Sequence, residues 1–97
     1  LKEDRYKQAE TVLTQFLKTP ADNPTFYRLL AQARAKLGNQ TGSHEAMSEY
    51  YYQIGQFHQA IEQIDLALKD KQADFYTTSR LEARLALIKE EIPKNQN

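Results

Sequence analysis

The sequence predicts an all-α protein, an array of about five antiparallel helices, and three observations predict it. Its punctuation by Pro, Gly and cap residues is sparse and evenly spaced, its apolar residues recur every 17 positions, and polar or charged residues interrupt every β-branched run. No strand signal therefore competes. Ninety-seven residues fit one domain, residues 1–97, short enough that its core must be efficient.

The punctuation sets the elements in order. Asn23-Pro24 reads as an N-cap followed by proline at the first helical position, where a missing N–H costs nothing. Gly38 and Gly55 each follow an apolar residue, Leu37 and Ile54, and suit the left-handed residue just past a helix end. Asp74 is the N-cap expected for the last helix, and Pro93 its stop after Ile92. Helices are expected near residues 3 to 18, 24 to 37, 42 to 54, 57 to 70 and 74 to 91.

Composition excludes some function classes. Lys plus Arg equals Asp plus Glu at 13 each, so no net basic field is available to hold nucleic acid or an anionic membrane. Disulfides and thiolate metal sites are ruled out, because the chain has no cysteine. No apolar run approaches the roughly 20 residues of a membrane span, and no membrane insertion is expected. The chain opens on Leu1 and reads as a piece of something longer.

The 17-residue step is the strongest regularity. From Leu13 it gives Leu30, Met47, Ile64 and Leu81, one apolar residue from each helix. A second ladder runs Leu17, Arg34, Tyr51, Leu68, Leu85, and a third runs Phe16, Ala33, Tyr50, Ala67, Arg84; the arginines are the exceptions. Ala9, Ser43 and Ala60 lie on a further ladder, where small side chains would let helices approach closely. These ladders are the expected core.

Seventeen is half of 34, the length of a tetratricopeptide repeat, a helix-turn-helix unit that stacks on copies of itself. His44, Met47, Ser48, Tyr51, Gly55, Ala60, Ile64 and Ala67 follow the order and spacing of that repeat, and Tyr27, Leu30 and Ala31 follow it in the helix before. Arg34 departs where an aromatic is expected, and the repeat's closing proline is absent. The chain resembles tetratricopeptide repeats over residues 1 to 70, which implies a right-handed helical array, and more loosely beyond. The third helix answers to two roles at once, second helix of one repeat and first helix of the next.

One short stretch tests for catalysis. His44-Glu45 opens the HExxH pattern of zinc proteases, but Ser48 stands where the second histidine should be, and a hydroxyl is a poor substitute for imidazole at zinc. His58 is on a different helix, and Glu90-Glu91 end a helix beside Lys89 and Lys94. No catalytic residue, cofactor or metal ligand is expected, and the fragment is not expected to be an enzyme.

The series NPTFYRLLAQARAKLG, SHEAMSEYYYQIGQFHQAIEQIDLALK and DFYTTSRLEARL is similar to the C-terminal end of a bacterial family. These are periplasmic HExxH zinc metalloproteases of the beta-barrel assembly-enhancing type, with a tetratricopeptide domain behind the catalytic domain. The resemblance implies a periplasmic location and a repeat domain separated from its catalytic domain. It also implies protein or peptide partners: outer-membrane assembly proteins, client barrels and the protein's own protease domain.

In the repeat family the first helices line a concave groove. Arg28, Gln32 and Lys36 form a basic row on the second helix, and Glu45, Glu49, Tyr52 and Gln53 a mainly acidic row on the third. Together they would hold an extended or helical peptide. The competing reading is that these charges only keep the surface soluble, and that the array buttresses the protease domain without a separate partner. Successive helical residues turn by about 100°, so Tyr50, Tyr51 and Tyr52 should differ in environment. The ladders assign Tyr50 and Tyr51 to the core and leave Tyr52 open to the groove, beside Glu49 and across from Lys36. Tyr6 and Val12 are expected on an exposed apolar face of the first helix, while Leu66 and Leu87 interrupt otherwise polar positions.

Overall fold

The computed structural model describes residues 2–16 and 23–92. Five α-helices follow one another: α1 (Lys2–Phe16), α2 (Pro24–Lys36), α3 (Gln40–Gln53), α4 (Phe57–Leu68) and α5 (Phe75–Glu91). Among the described residues there is no strand, and the fold is the all-α, tetratricopeptide-like array that the 17-residue step predicts. The main packing runs from each helix to the next, and the molecule extends 50 × 31 × 19 Å.

The helix ends follow from their cap residues. Asn23 accepts from the Thr25 N–H at 3.0 Å, with Pro24 at the first helical position. Gly38 and Gly55 both take φ of 82°, which a residue with a Cβ reaches only under strain. Each closes a Schellman motif: the Asn39 N–H reaches the Arg34 carbonyl at 2.8 Å, and the Gln56 N–H reaches the Tyr51 carbonyl at 2.8 Å. Asp74 caps α5 by accepting from the Thr77 N–H at 2.7 Å. The expected stop at Pro93, the expected end of the first helix at residue 18, and the ladder position Leu17 lie outside the described residues, as does the Phe16 side chain.

α3 begins two residues before its expected start at 42, because its cap is Asn39, whose side chain accepts from the Gly42 N–H at 2.8 Å. Gly42 therefore sits inside the first turn. A Cβ there would run into the Asn39 amide and come within 2.9 Å of the Arg34 Cδ, so a side chain at 42 would force the cap or the Arg34 side chain to shift. Arg34 Nη1 uses that approach to donate to the Gly42 carbonyl at 3.1 Å.

Two buried clusters form the interior. Leu30, Ala31 and Ala46, with Leu13 and Met47 against them, join α1, α2 and α3. Ala60, Ile64, Ala67, Leu81 and Ile88 join α4 to α5, with Tyr51, Tyr52, Leu68 and Leu85 packed on them. The ladder from Leu13 to Leu81 thus runs through both clusters. Small residues do what their size allows: Ala60 and Ala67 are fully buried where α4 meets its neighbours. α3 is shared between α2 and α4, as its double match to the repeat suggested. It donates from the Ser43 hydroxyl to the Ala31 carbonyl of α2 at 2.8 Å, and on its other side His44 Nδ1 meets Gln63 Oε1 of α4 at 2.9 Å.

Candidate functional site

α5 lies across α3 as well as against α4, and charge holds it there. Arg80 and Arg84 stand four apart on α5, Glu45 and Glu49 four apart on α3, so the two rows meet in register. Arg80 donates Nε and Nη2 to Glu45 at 2.8 and 3.0 Å. Arg84 donates the same pair of nitrogens to Glu49 at 2.7 and 2.9 Å. These planar, bidentate pairs fix orientation as well as distance. The Glu45 hydrogen bond raises the Arg80 pKa above its ordinary value. At Arg84 burial, the largest single influence, opposes the charge, but the Glu49 hydrogen bond and charge together with Tyr52 and Glu91 outweigh it and the pKa is again raised.

Tyr52 completes this contact. Its hydroxyl donates to Glu91 Oε1 at 2.7 Å, its ring lies 4.6 Å from the Arg84 guanidinium, and Phe57 sits at 5.5 Å on α4. The Glu91 hydrogen bond, followed by burial, raises the Tyr52 pKa. The expectation that Tyr52 stands open across from Lys36 is therefore corrected. Its ring turns toward α4 and α5 because Phe57 and Arg84 supply an apolar face and a cation for it to cover. Tyr50 and Tyr51 are half-buried, with ring centroids 5.3 Å apart in an edge-on arrangement.

The basic row of α2 does not oppose the acidic row of α3. Arg28, Gln32 and Lys36 are exposed, and Gln32 lines a separate trough between α1 and α2 with Ala9, Val12 and Leu29. The α2 stripe that faces α3 and α5 is Tyr27, Leu30 and Arg34, at helical spacing of three and four. Offsets of one or two residues, roughly half a turn of the helix at about 100° per residue, separate the expected row from the one that the fold uses.

That stripe bounds a cleft of about 610 Å³. Tyr27, Leu30 and Arg34 of α2 form one wall, Arg80, Leu81 and Arg84 of α5 the other, and Glu45, Ala46, Ser48 and Glu49 of α3 the floor, with Ile64 beneath. Burial, and next the nearby Glu49 charge, raise the Tyr27 pKa. Arg34 is anchored by Glu10 of α1 at 3.1 Å as well as by the Gly42 carbonyl, so the two arginines that interrupt the ladders are both wall residues held by partners. Ser48, 1 % exposed, is the feature least expected of this floor. Its Oγ has no hydrogen-bond partner among the described residues.

Beyond Arg34, Glu45 and Arg80 the cleft opens into a polar recess of about 330 Å³ between the N-termini of α3 and α5. Its carboxylates are engaged locally. Asp70 accepts from the Thr41 hydroxyl and from the Gln72 N–H at 3.0 Å, and Asp74 caps α5. The Thr41 hydroxyl is the main cause of the lowered Asp70 pKa, and the Thr77 N–H of the lowered Asp74 pKa.

Thr14, Tyr27, Arg34, Ala46, Ser48, Arg80 and Arg84 are among the cleft residues that the sequence reading did not assign to the groove. A signal for two of them was present: the pairs Glu45 to Arg80 and Glu49 to Arg84 each span 35 residues, one more than two 17-residue steps. His44 is turned to Gln63 and His58 is exposed, and among the described residues no group of three or more His, Asp or Glu is placed to hold a metal ion. No family model matches the chain, and neither a curated protein nor a solved structure matches it.

Proposed function

We propose that this chain is a non-catalytic protein-interaction module that brings outer-membrane assembly proteins or their clients to a periplasmic zinc metalloprotease. The cleft over α3 is the observation that supports it most. It is open, Leu30, Ala46, Ile64 and Leu81 give its lining an apolar strip, and its charged side chains are preorganised by bidentate ion pairs, the combination that lets a peptide be held at low ordering cost. The protease, the compartment and the assembly partners rest on the sequence resemblance.

Immobilised chain should bind purified outer-membrane barrel-assembly proteins, and Thr14→Trp, which places a large ring at the exposed cleft mouth, should weaken that binding about tenfold or more. Binding unaffected by Thr14→Trp, or no binding at all, would count against the module. A second reading, a buttress of the protease domain, is favoured by the apolar trough between α1 and α2, where Val12 and Leu29 remain 50 % and 41 % exposed. It expects the chain to bind the separate protease domain alone, through a surface that Val12→Glu abolishes.

A further inference from the structure

Stacked helical arrays stay soluble by keeping their outer faces polar, and here neither flank is fully so. Among the described residues seven large apolar side chains are exposed, and five of them lie on the two flanks of the array. Val12 and Leu29 line the trough between α1 and α2, while Phe75, Tyr76 and Leu87 stand on α5. Single exposed apolar residues are ordinary, but clusters of them mark interaction surfaces.

The α5 flank is a ridge. Leu81, Leu85 and Ile88 belong to the cluster shared with α4, so at about 100° per residue Tyr76, Ser79, Ala83 and Glu90 stand roughly half a turn away from it. All four are exposed, as are Phe75, Ala86 and Leu87 beside them, and Glu90 is the single charge on this stripe. The opposite flank is concave: Tyr6, Ala9 and Val12 of α1 and Leu29 and Gln32 of α2 wall a trough of about 530 Å³, in which Arg5 is the single charged lining residue. Its α2 wall carries Arg28 and Lys36 one turn to either side of Gln32 and has no carboxylate. Among the described residues neither Arg5 nor Glu90 is in an ion pair.

The two flanks match in spacing as well as in charge. Arg5, Ala9 and Val12 ascend α1 in steps of four and three, and Glu90, Ala86 and Ala83 descend α5 in the same steps. One antiparallel register therefore pairs Glu90 with Arg5, sets the small Ala86 over the small Ala9, and seats Leu87 in the trough.

We infer that the occupant of the trough is a second copy of this chain, whose α5 ridge lies between α1 and α2, so that copies join head to tail. Ridge into trough and acid onto base both need unlike faces, whereas either face against itself would repeat one sign of charge. Such a contact is heterologous and leaves a free trough at one end of the assembly and a free ridge at the other. It goes beyond the module reading and makes no use of the cleft over α3.

Sedimentation of the chain from about 1 µM to about 1 mM, the range in which a small interface dissociates, tests this. The weight-average mass should climb with concentration past that of two chains. Val12→Glu and Leu87→Glu should each move the climb to concentrations about tenfold higher or more, with the melting temperature unchanged at the dilute end because both side chains are about half exposed. Mixed in equal amounts, these two variants should associate again but stop at two chains, since one keeps its ridge and the other its trough. Arg5→Glu and Glu90→Arg should each weaken association and restore it when combined in one chain, which keeps the test decisive if either apolar variant melts early. Thr14→Trp, at the cleft, should leave association unchanged, so that failure here and failure of the module are separable. A wild-type mass of one chain at every concentration would overturn the proposal, and binding of the separate protease domain by that monomer would give the trough to the protease domain. A wild-type mass that stops at two chains, or a mixture that behaves as its two variants do apart, would overturn the head-to-tail contact.

Discussion

Arg84 Nε lies 2.7 Å from Glu49 Oε2, and the same guanidinium covers the Tyr52 ring at 4.6 Å, so one α5 side chain closes two contacts with α3. Both partners of the ion pair are about a third exposed or less, a setting in which geometry and partial desolvation make the pair stronger than a surface one. In a double-mutant cycle, Arg84→Ala and Glu49→Gln should couple by about 1 kcal/mol in urea unfolding. Additive effects would mean that the pair contributes nothing. Tyr52→Ala should lower the melting temperature, because it removes the ring from Arg84 and Phe57 together with the Glu91 bond; an unchanged melting curve would restore Tyr52 to an open groove.

Leu30 and Ile64 occupy one rung each of the same ladder, in different clusters. Truncation of either to alanine should cost roughly 2 to 5 kcal/mol, the range for a buried aliphatic that leaves a cavity. Against a domain stability of about 5 to 15 kcal/mol, either loss should be visible as a large drop in the denaturation midpoint. Wild-type-like unfolding of both variants would refute the ladder as core.

Ser48→Ala should be neutral or stabilising by up to about 1 kcal/mol, contrary to the usual effect of changing a buried residue. The hydroxyl is shielded from water and makes no hydrogen bond among the described residues, so the variant removes a desolvation cost and little else. Destabilisation by 1 kcal/mol or more would show that the hydroxyl has a partner in solution, such as a water on the cleft floor.

Acid should loosen the end of the array where α4 gives way to α5. Asp70 and Asp74 have folded-state pKa values below the usual carboxylate value, by the Thr41 hydroxyl and the Thr77 N–H respectively. Groups depressed in this way add stability that is present above the unfolded value of about 3.9 and is lost as pH falls through the folded value. The melting temperature should thus decline below about pH 4, and the decline should be shallower in Asp74→Asn, whose amide caps the helix without titrating. Equal slopes in the two proteins would exclude Asp74 as a source.

Local chemistry determined most of the fold from the sequence alone. Asn23-Pro24, Gly38, Gly55 and Asp74 end or begin helices through bonds within a few residues of themselves, and the 17-residue ladder selects residues of both buried clusters because stacked helices repeat the same contact. Gly42 was expected at the start of the third helix, and the close approach of the Asn39 cap and the Arg34 side chain to it is visible only in the structure.

The cleft was decided by tertiary structure. Glu45 and Glu49 could be placed on one helix face from their spacing, but whether that face met α2 or α5 depended on how helices far apart in sequence were laid across each other. The bond from Tyr52 to Glu91 spans 39 residues, and Arg84 to Glu49 spans 35. Helical periodicity fixes which residues share a stripe, while the angle at which two stripes cross is set by side-chain volumes and ion pairs at the crossing. For that reason the step from Arg28, Gln32 and Lys36 to Tyr27, Leu30 and Arg34, roughly half a turn round the helix, is legible only once α5 is in place.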